Sequence, residues 1–352
     1  SGNHTISVGT GTATGLASYS CADTDNACNV YYEFNSSGIT SSTTQFRAMH
    51  TGTSTQQGIA FNTYAWCLPK TTLTLRKVWV NAKVNDAVTV TATGLSSLSA
   101  VANTTSETDT GIAQGVTPGS AITIGETFTT GSSANYTSVL TCTGNATALA
   151  GNVLTVNNAD RAIVCTYTNT RKSATLRLAK AWGANSISGN VANIGATTGL
   201  LNNTSAFTST ASTANNSNTV TVYAGETVTL PAETMSTGTL ANYTTSLSCD
   251  NGVTPSGSNG QSSNTVSIPN TFSGLITCTY TNTRKSATLR LAKAWGANSI
   301  AGNVANIGAT TGLINNTTAL TSTASTNTNG TAVTVYAGET ATLPAETMST
   351  GT

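Results

Sequence analysis

The chain has 352 residues, and 14 lysines and arginines against 13 aspartates and glutamates leave 8% of positions charged and a net charge of +1. So few basic residues cannot form a face that neutralises phosphates, which excludes nucleic acid as a partner. Charge-driven disorder is excluded as well, because 38% of the residues are hydrophobic. The remaining positions are rich in Thr, Ser, Asn and Gly, a composition that favours short strands joined by turns.

Seven cysteines without a C-x-x-C motif, beside only two histidines, favour disulfides over zinc. Disulfides place the protein outside the cell, at the cell surface or secreted. No apolar stretch approaches the roughly 18 residues that a membrane span needs, and no signal peptide follows Ser1. We therefore expect a processed extracellular chain with no membrane span.

Residues 1–70 match no other part of the chain, and their Gly/Thr-rich alternating segments predict a separate β-rich region. The region holds three cysteines, Cys21, Cys28 and Cys67. Three thiols cannot all pair within one chain, so one is free or bridges another subunit.

The loop between the first two cysteines contains Asp23 and Asp25, whose oxygens are weak candidate ligands for Ca²⁺. It lacks the Gly and the distal Glu of an EF-hand loop. A disulfide-closed Asx turn is the favoured interpretation, and we expect no metal.

An internal repeat governs the rest of the chain. Residues 170–239 recur as 283–352 with 60 of 70 positions identical, and an older copy begins with TLTLRKVWV at 72–80. The predicted domains are residues 71–170, 171–283 and 284–352. The third stops before the ANYT segment and the closing CTYTNT strand, so it corresponds to the first half of a repeat.

Periodicity within the repeat is that of strands with one buried face. In the first strand the large residues share one parity: Leu73, Leu75, Lys77 and Trp79. In the closing strand they are Ile163, Cys165, Tyr167 and Asn169. Several such runs in about 105 residues, with no helical period, predict an all-β fold of tandem, antiparallel-rich β-sandwiches of prealbumin or immunoglobulin type.

Each complete repeat carries one cysteine pair at matching motif positions. We therefore predict the disulfides Cys142–Cys165 and Cys249–Cys278, with a structural role. Each would stabilise its domain by roughly 3 kcal/mol.

A lysine on the buried parity needs a partner, because a lone ammonium in an apolar face costs several kcal/mol. A Glu and an Asn recur with it, giving the sets Lys77, Glu126 and Asn169; Lys180, Glu233 and Asn282; and Lys293 with Glu346. Burial favours a neutral amine, which would attack the Asn side-chain carbonyl while a protonated Glu polarises it. Ammonia would leave and an isopeptide bond would form. The alternative is a partly solvated ion pair, or a lysine whose stem extends to the rim of the sandwich.

These residues resemble the Cna B-type, or SpaA-like, prealbumin-fold domains of bacterial surface adhesins and pilins. That family places a Lys on the first strand (LTLRKVW), a Glu ahead of a Tyr (GETFTTGSSANY) and an Asn in the closing strand (CTYTNT). The resemblance covers about 71–352 and implies that the first and last strands lie side by side and parallel. The Glu lies ten residues before Tyr136 and Tyr243, a longer spacing than the family's, which would move it away from the lysine.

The predicted function is that of a structural protein in a bacterial surface fibre or stalk, whose covalently stabilised repeats assemble head to tail with copies of themselves. The alternative is an adhesin in which residues 1–70 bind a glycan or a cell-surface protein and the repeats form the stalk. We expect no cofactor and no turnover catalysis, because His4 and His50 are the only histidines and no G-x-S-x-G motif accompanies them.

The half repeat presents a core face, formed by Leu289, Leu291, Lys293 and Trp295, without its covering strands. An uncovered face of this kind aggregates, so we expect more chain beyond Thr352 or strands from a neighbouring copy to complete it. Residues 1–70 are the natural donor in the second case. Glu226 and Glu339, in the motif YAGET, are expected to be surface residues.

Overall fold

The computed structural model describes residues 4–10, 17–21, 46–51 and 71–351, with side chains from residue 71 onward. It divides into two compact units, Ser1–Leu68 and Pro69–Thr352. The predictions made for Asp23, Asp25, Cys28 and Cys67, and for the side chain of Cys21, lie outside the described residues.

The first unit contains a three-stranded antiparallel sheet in the order β2-β1-β3. Its strands are His4–Thr10 (β1), Ala17–Cys21 (β2) and Phe46–Thr51 (β3). The described part of this region is thus β structure, as its alternating sequence predicts.

The first repeat is a sandwich of a five-stranded sheet, β10-β12-β4-β7 with β8 also paired to β4, and a four-stranded sheet, β11-β9-β5-β6. A 3₁₀ turn at Ser133–Asn135 precedes β10. The strands are Thr72–Val80 (β4), Ala87–Ala92 (β5), Leu98–Val101 (β6), Glu107–Thr110 (β7), Gln114–Gly115 (β8), Ala121–Thr130 (β9), Tyr136–Thr143 (β10), Val153–Thr155 (β11) and Ala162–Arg171 (β12).

The second repeat keeps the first sheet, in the order β20-β22-β13 with β16 and β17 beside β13, but divides the second into β15-β14-β19 and β18-β21. A 3₁₀ turn at Leu240–Asn242 precedes β20. The strands are Ser173–Trp182 (β13), Val191–Ile194 (β14), Phe207–Thr210 (β15), Asn215–Asn216 (β16), Val220–Tyr223 (β17), Thr227–Leu230 (β18), Thr234–Thr237 (β19), Tyr243–Cys249 (β20), Asn264–Ser267 (β21) and Leu275–Arg284 (β22).

The third repeat forms three small sheets, β23-β28, β24-β27 and β26-β25-β29. Its strands are Ser286–Leu289 (β23), Ala292–Lys293 (β24), Val304–Ile307 (β25), Leu320–Thr323 (β26), Thr328–Asn329 (β27), Val333–Tyr336 (β28) and Glu346–Thr350 (β29). The chain is therefore nearly all β, and no helix in its described ranges is long and apolar enough to cross a membrane.

Strict alternation of burial along β4 builds the core of the first repeat. Its inward residues are the predicted ones, from Leu73 to Trp79, and they are at most 1% exposed. Beside β4 lies the closing strand β12, and the two run parallel with Tyr167 opposite Lys77. Strands β13 and β22 repeat this parallel arrangement, with Tyr280 opposite Lys180. The first and last strands of each complete repeat are thus neighbours that run in the same direction.

Candidate functional site

The buried lysine of each complete repeat lies at the centre of the sheet that holds the two parallel strands. Lys77 and Lys180 are at most 1% exposed, and Asn169 and Asn282 on the neighbouring strands are fully buried. In each repeat the asparagine lies two residues farther along its strand than the residue opposite the lysine. Side chains at such diagonal positions on one face reach one another when one of them is long.

In the second repeat one carboxylate oxygen brings the three groups together. Glu233 Oε1 lies 3.1 Å from Lys180 Nζ, and the same oxygen accepts a hydrogen bond of 2.7 Å from Asn282 Nδ2. Neither the lysine nor the glutamate side chain is exposed to solvent. The two side chains that an isopeptide bond would join therefore contact the same carboxylate oxygen.

The first repeat holds the same residues with one contact fewer. Lys77 Nζ lies 2.7 Å from Glu126 Oε1, with the lysine side chain fully buried and the glutamate 6% exposed. Among the described residues, neither amide atom of Asn169 has a hydrogen-bond partner. A buried amide without partners is costly, so Asn169 destabilises the first repeat unless it has another role.

The third repeat has the lysine–glutamate pair, but the two side chains are not buried. Lys293 Nζ lies 2.7 Å from Glu346 Oε1, while the two side chains are 17% and 40% exposed. Of its predicted core face, Leu289, Leu291 and Trp295 are all half-exposed. Strand β23 pairs only with β28 among the described strands, so the edge that β12 and β22 occupy in the complete repeats is open here.

The longer Glu-to-Tyr spacing does not separate the carboxylate from the lysine. Glu126 lies in β9, and the turn Ser133–Asn135 accommodates the intervening residues before Tyr136 begins β10. Tyr136 then donates a 2.6 Å hydrogen bond to Asp86 and receives one from the Lys83 backbone, so its hydroxyl stays inside the domain.

Burial sets the electrostatics of both complete sites. Removal from water disfavours the ammonium and lowers the pKa of Lys77 and of Lys180 to about 8, although the neighbouring glutamates oppose this. Each ammonium also lies over an aromatic face, with Lys77 4.4 Å from the Trp79 ring and Lys180 4.5 Å from the Trp182 ring.

The closing-strand tyrosine anchors the strands around the site. Tyr280 donates a 2.6 Å hydrogen bond to the carbonyl of Pro231, two residues before Glu233, and Tyr167 reaches the carbonyl of Ile124, two residues before Glu126. Burial raises the pKa of both tyrosines, so they remain neutral donors. The sequence placed these tyrosines on the core face but did not indicate this positioning contact.

Sequence reasoning also missed Asp109. This half-buried residue lies directly opposite Lys77 on β7, and burial raises its carboxyl pKa. The equivalent position opposite Lys180 is Asn215. No motif marks Asp109, because its place beside the lysine depends on the register of a short strand.

Both predicted disulfides are present, Cys142–Cys165 and Cys249–Cys278. In each, the two cysteines lie directly opposite one another in the antiparallel pair formed by the closing strand and the strand before it. The disulfide therefore fixes one side of the closing strand, while the lysine lies on the strand at its other side.

Comparison with known proteins gives one family and several solved structures. A family model described as a prealbumin-like fold domain, SpaA type, matches residues 70–171 and again 178–284. No curated protein sequence matches the chain significantly.

Two solved structures of pilus proteins are among the matches. The major pilin T-13 of Streptococcus pyogenes is 12% identical and matches 62% of this chain and 98% of its own, with a TM-score of 0.32. A C-terminal fragment of the pilus adhesin SpaC of Lactobacillus rhamnosus GG is 10% identical over 61% and 98% of the two chains, with a TM-score of 0.29.

A Mobiluncus mulieris adhesin, described as containing disulfide, isopeptide and ester cross-links, is 12% identical over 58% and 87% of the chains, with a TM-score of 0.24. The family model, by contrast, matches two tandem domains and more than half of the residues. The chain therefore belongs to the family of SpaA-type prealbumin-like domains.

Proposed function

We propose that this chain is a structural element of a bacterial surface stalk or fibre, in which each complete repeat closes an isopeptide bond between its first and last strands. The observation that carries the proposal is the shared contact in the second repeat, where Lys180 and Asn282 meet at one oxygen of Glu233. Two further features support it: the site is shielded from water, and it joins parallel neighbouring strands.

The chemistry uses groups that are already present and balances without a co-reactant. A proton moves from the Lys180 ammonium to Glu233, which leaves a neutral amine and a protonated acid. The amine nitrogen attacks Cγ of Asn282 while the acid donates to the amide oxygen, a geometry reached when the amide turns over, since Oδ1 has no other partner among the described residues. The C–N bond to the amide nitrogen breaks, ammonia takes up the released proton, and Glu233 returns to its carboxylate form.

The position of the bond explains its mechanical value. The chain enters the second repeat at the start of β13 and leaves at the end of β22, two parallel strands. A bond from Lys180 to Asn282 carries tension across from one strand to the next, and the segment between these residues stays unloaded. The first repeat offers the same path from Lys77 to Asn169.

Intact mass under reducing conditions tests the covalent step. We expect the full chain to be lighter than its sequence by two ammonia molecules, one for each complete repeat. The Glu233→Gln variant lacks the proton carrier and should lose only one. Glu339→Gln, which alters a half-exposed carboxylate bonded to the backbone N–H groups of Tyr336 and Ile314, should still lose two.

A parent mass equal to the sequence mass would show that the lysines form only ion pairs. The same conclusion would follow if peptide mapping found the mass loss at an asparagine other than Asn169 or Asn282.

We also propose that a strand from a neighbouring copy completes the third repeat and thereby links molecules head to tail. The support is the open edge of β23 and the half-exposed Leu289, Leu291 and Trp295, whose counterparts in the first repeat are buried. Residues 1–70 are the proposed donor. Extracellular placement is supported by the two disulfides, which persist under oxidising conditions.

Sedimentation velocity measures this assembly directly. We expect oligomers whose size grows with concentration, and a return to monomer for a chain in which Leu289 and Leu291 are both changed to Asp. Monomer at every concentration for the parent chain would contradict the intermolecular route and leave the isopeptide proposal unaffected.

A further inference from the structure

Each joint between repeats is a single residue whose backbone forms hydrogen bonds with both the preceding and the following repeat. Only Lys172 separates β12 from β13, and only Lys285 separates β22 from β23. The N–H of Lys172 donates to the carbonyl of Asn135 in the preceding repeat, and its carbonyl accepts from Ala224 N–H in the following repeat, both at 2.9 Å. Lys285 makes the same two bonds, to Asn242 and from Ala337, at 3.0 and 2.9 Å.

An arginine at the end of each closing strand reaches across the joint. The guanidinium Nε of Arg171 donates to the carbonyl of Ala224 at 2.9 Å, and its Cζ lies 5.8 Å from the centre of the Tyr223 ring. Arg284 repeats this with Ala337 at 2.8 Å and with the Tyr336 ring at 5.6 Å. Both arginines are at most 9% exposed, although each carries a full charge.

A glutamate stabilises the turn of the following repeat that contacts the joint, residues 223–226 in the second repeat and 336–339 in the third. Glu226 accepts hydrogen bonds from the backbone N–H groups of Tyr223 and Leu201, and Glu339 accepts from Tyr336 and Ile314. Glu226 is 9% exposed, so the expectation that it lies on the surface was wrong. It recurs because it closes the turn onto which the preceding repeat packs.

The glycine of the turn makes close approach of the two repeats possible. Gly225 has φ +75°, and a Cβ built on it would lie 2.6 Å from Asn135 Nδ2 of the preceding repeat. At Gly338, φ +80°, the same contact to Asn242 is 3.1 Å. At this point no side chain fits between the repeats.

The first repeat has the same turn without the features that the joint uses. Thr117-Pro118-Gly119-Ser120 stands where the second repeat has Tyr-Ala-Gly-Glu, with the same internal bond from the fourth residue to the first. Pro118 has no N–H to match the one that Ala224 donates across the joint. Thr117 has no aromatic ring for an arginine to contact, as Tyr223 has. Threonine, proline and glycine are exposed, and a Cβ on Gly119 meets nothing within 4 Å among the described residues.

From these observations we infer that the Tyr-Ala-Gly-Glu turn is a docking site for the C-terminal end of the preceding repeat. The groups that it recognises are the arginine that ends the closing strand and the asparagine of the 3₁₀ turn, Arg171 and Asn135 at the first joint. The partner is therefore another copy of this repeat, docked in one fixed orientation. A repeat with Thr-Pro-Gly-Ser in its place does not accept a copy in front of it. This inference is independent of the isopeptide bond.

Distances between spin labels in the full chain test the joint. Ketone-bearing amino acids at Ile112, which is 74% exposed in the first repeat, and at exposed Gln261 in the second take the labels without disturbing the cysteines. Double electron–electron resonance then reports the width of the distance distribution. We expect a narrow distribution for the parent.

Two variants remove contacts of the joint, Arg171→Ala and Ala224→Pro, and both should broaden the distribution at least about twofold, since domains without a fixed interface move freely. Ala224→Pro places in the second repeat the residue that the first repeat already accommodates in the same turn. Pro118→Ala and Arg177→Ala are the matched controls and should leave the width unchanged.

Distributions as narrow as the parent's in both joint variants would overturn the inference, as would equal broadening in the controls. Circular dichroism establishes that each variant is folded. If Arg171→Ala is not, Ala224→Pro carries the test alone.

Discussion

Asp109 makes the first site electrostatically different from the second. It is a second carboxylate facing Lys77, whereas Lys180 faces Asn215 at the same position. An additional negative charge stabilises the ammonium over the neutral amine, which is the nucleophile. This predicts that the first repeat forms its bond more slowly than the second.

The Asp109→Asn variant should remove that difference. We expect the first repeat of this variant to cross-link at the pace of the second, whereas Glu107→Gln on the same strand should leave it slow. The measurement is a time course of ammonia loss, mapped by peptide mass after cell-free synthesis. Faster bond formation in the first repeat of the parent would contradict the argument.

The lowered lysine pKa predicts how stability depends on pH when the bond cannot form. In Asn282→Ala, Lys180 titrates at about 8 in the folded state and at 10.5 when unfolded. Between these values the unfolded chain holds the proton and the folded chain does not, so the free energy of unfolding rises with pH across this window. Below about pH 8 the full penalty for burying the ammonium remains.

The proposed bond would turn Lys180 of the parent chain into an amide, whose nitrogen does not titrate, so urea unfolding of the second repeat should show no such rise between pH 8 and 10.5. Asn202→Ala, at an exposed position, should behave as the parent does. A rise of the same size in parent and variant would show that Lys180 is a free amine in both.

At the scale of strands, the disulfide and the proposed bond secure opposite sides of the closing strand. Cys249 and Cys278 close a loop with a sequence separation of 29, which corresponds to about 3.5 kcal/mol of chain entropy. In the Asn282→Ala background, changing both cysteines to alanine should lower the stability of the second repeat by about that amount, measured by urea unfolding.

The same double change at Cys142 and Cys165 provides the control, because it weakens the first repeat and should leave the second unfolding transition in place. A loss well under 1 kcal/mol would mean that the denatured loop is already restricted without the disulfide.

A strand could be predicted where its own sequence carries the hydrophobic pattern of a strand. Strand β4 and the closing strands carry a strict period of two, and the structure buries the predicted residues, including Lys77 and Asn169, except Tyr167, which is half-buried. The division of the second sheet of the second repeat, and short strands such as β7 and β16, had no such signal. Their pairing is fixed by contacts between distant segments, which is also why Asp109 and the role of Glu226 were not predicted.

At the scale of the whole molecule, the repeats lie in series along one polypeptide, and the proposed bonds decide how far it stretches under load. With the bond in place, the second repeat should add no unfolding extension. In Asn282→Ala, the repeat should extend by on the order of 25 nm, since the disulfide still shields its own loop.

Single-molecule force spectroscopy of the full chain measures this extension, and Asn202→Ala should behave as the parent does. An extension of that length in the parent would show that the strands are not covalently joined.

The single-residue joints bear on how long such a protein becomes. The segment from Arg171 to Leu178 and that from Arg284 to Leu291 have the same sequence, and each joint lies within it. Recombination between two such segments adds or deletes one whole repeat and recreates an intact joint at the point of crossover. Array length is therefore free to vary in steps of one repeat, without any new interface having to evolve.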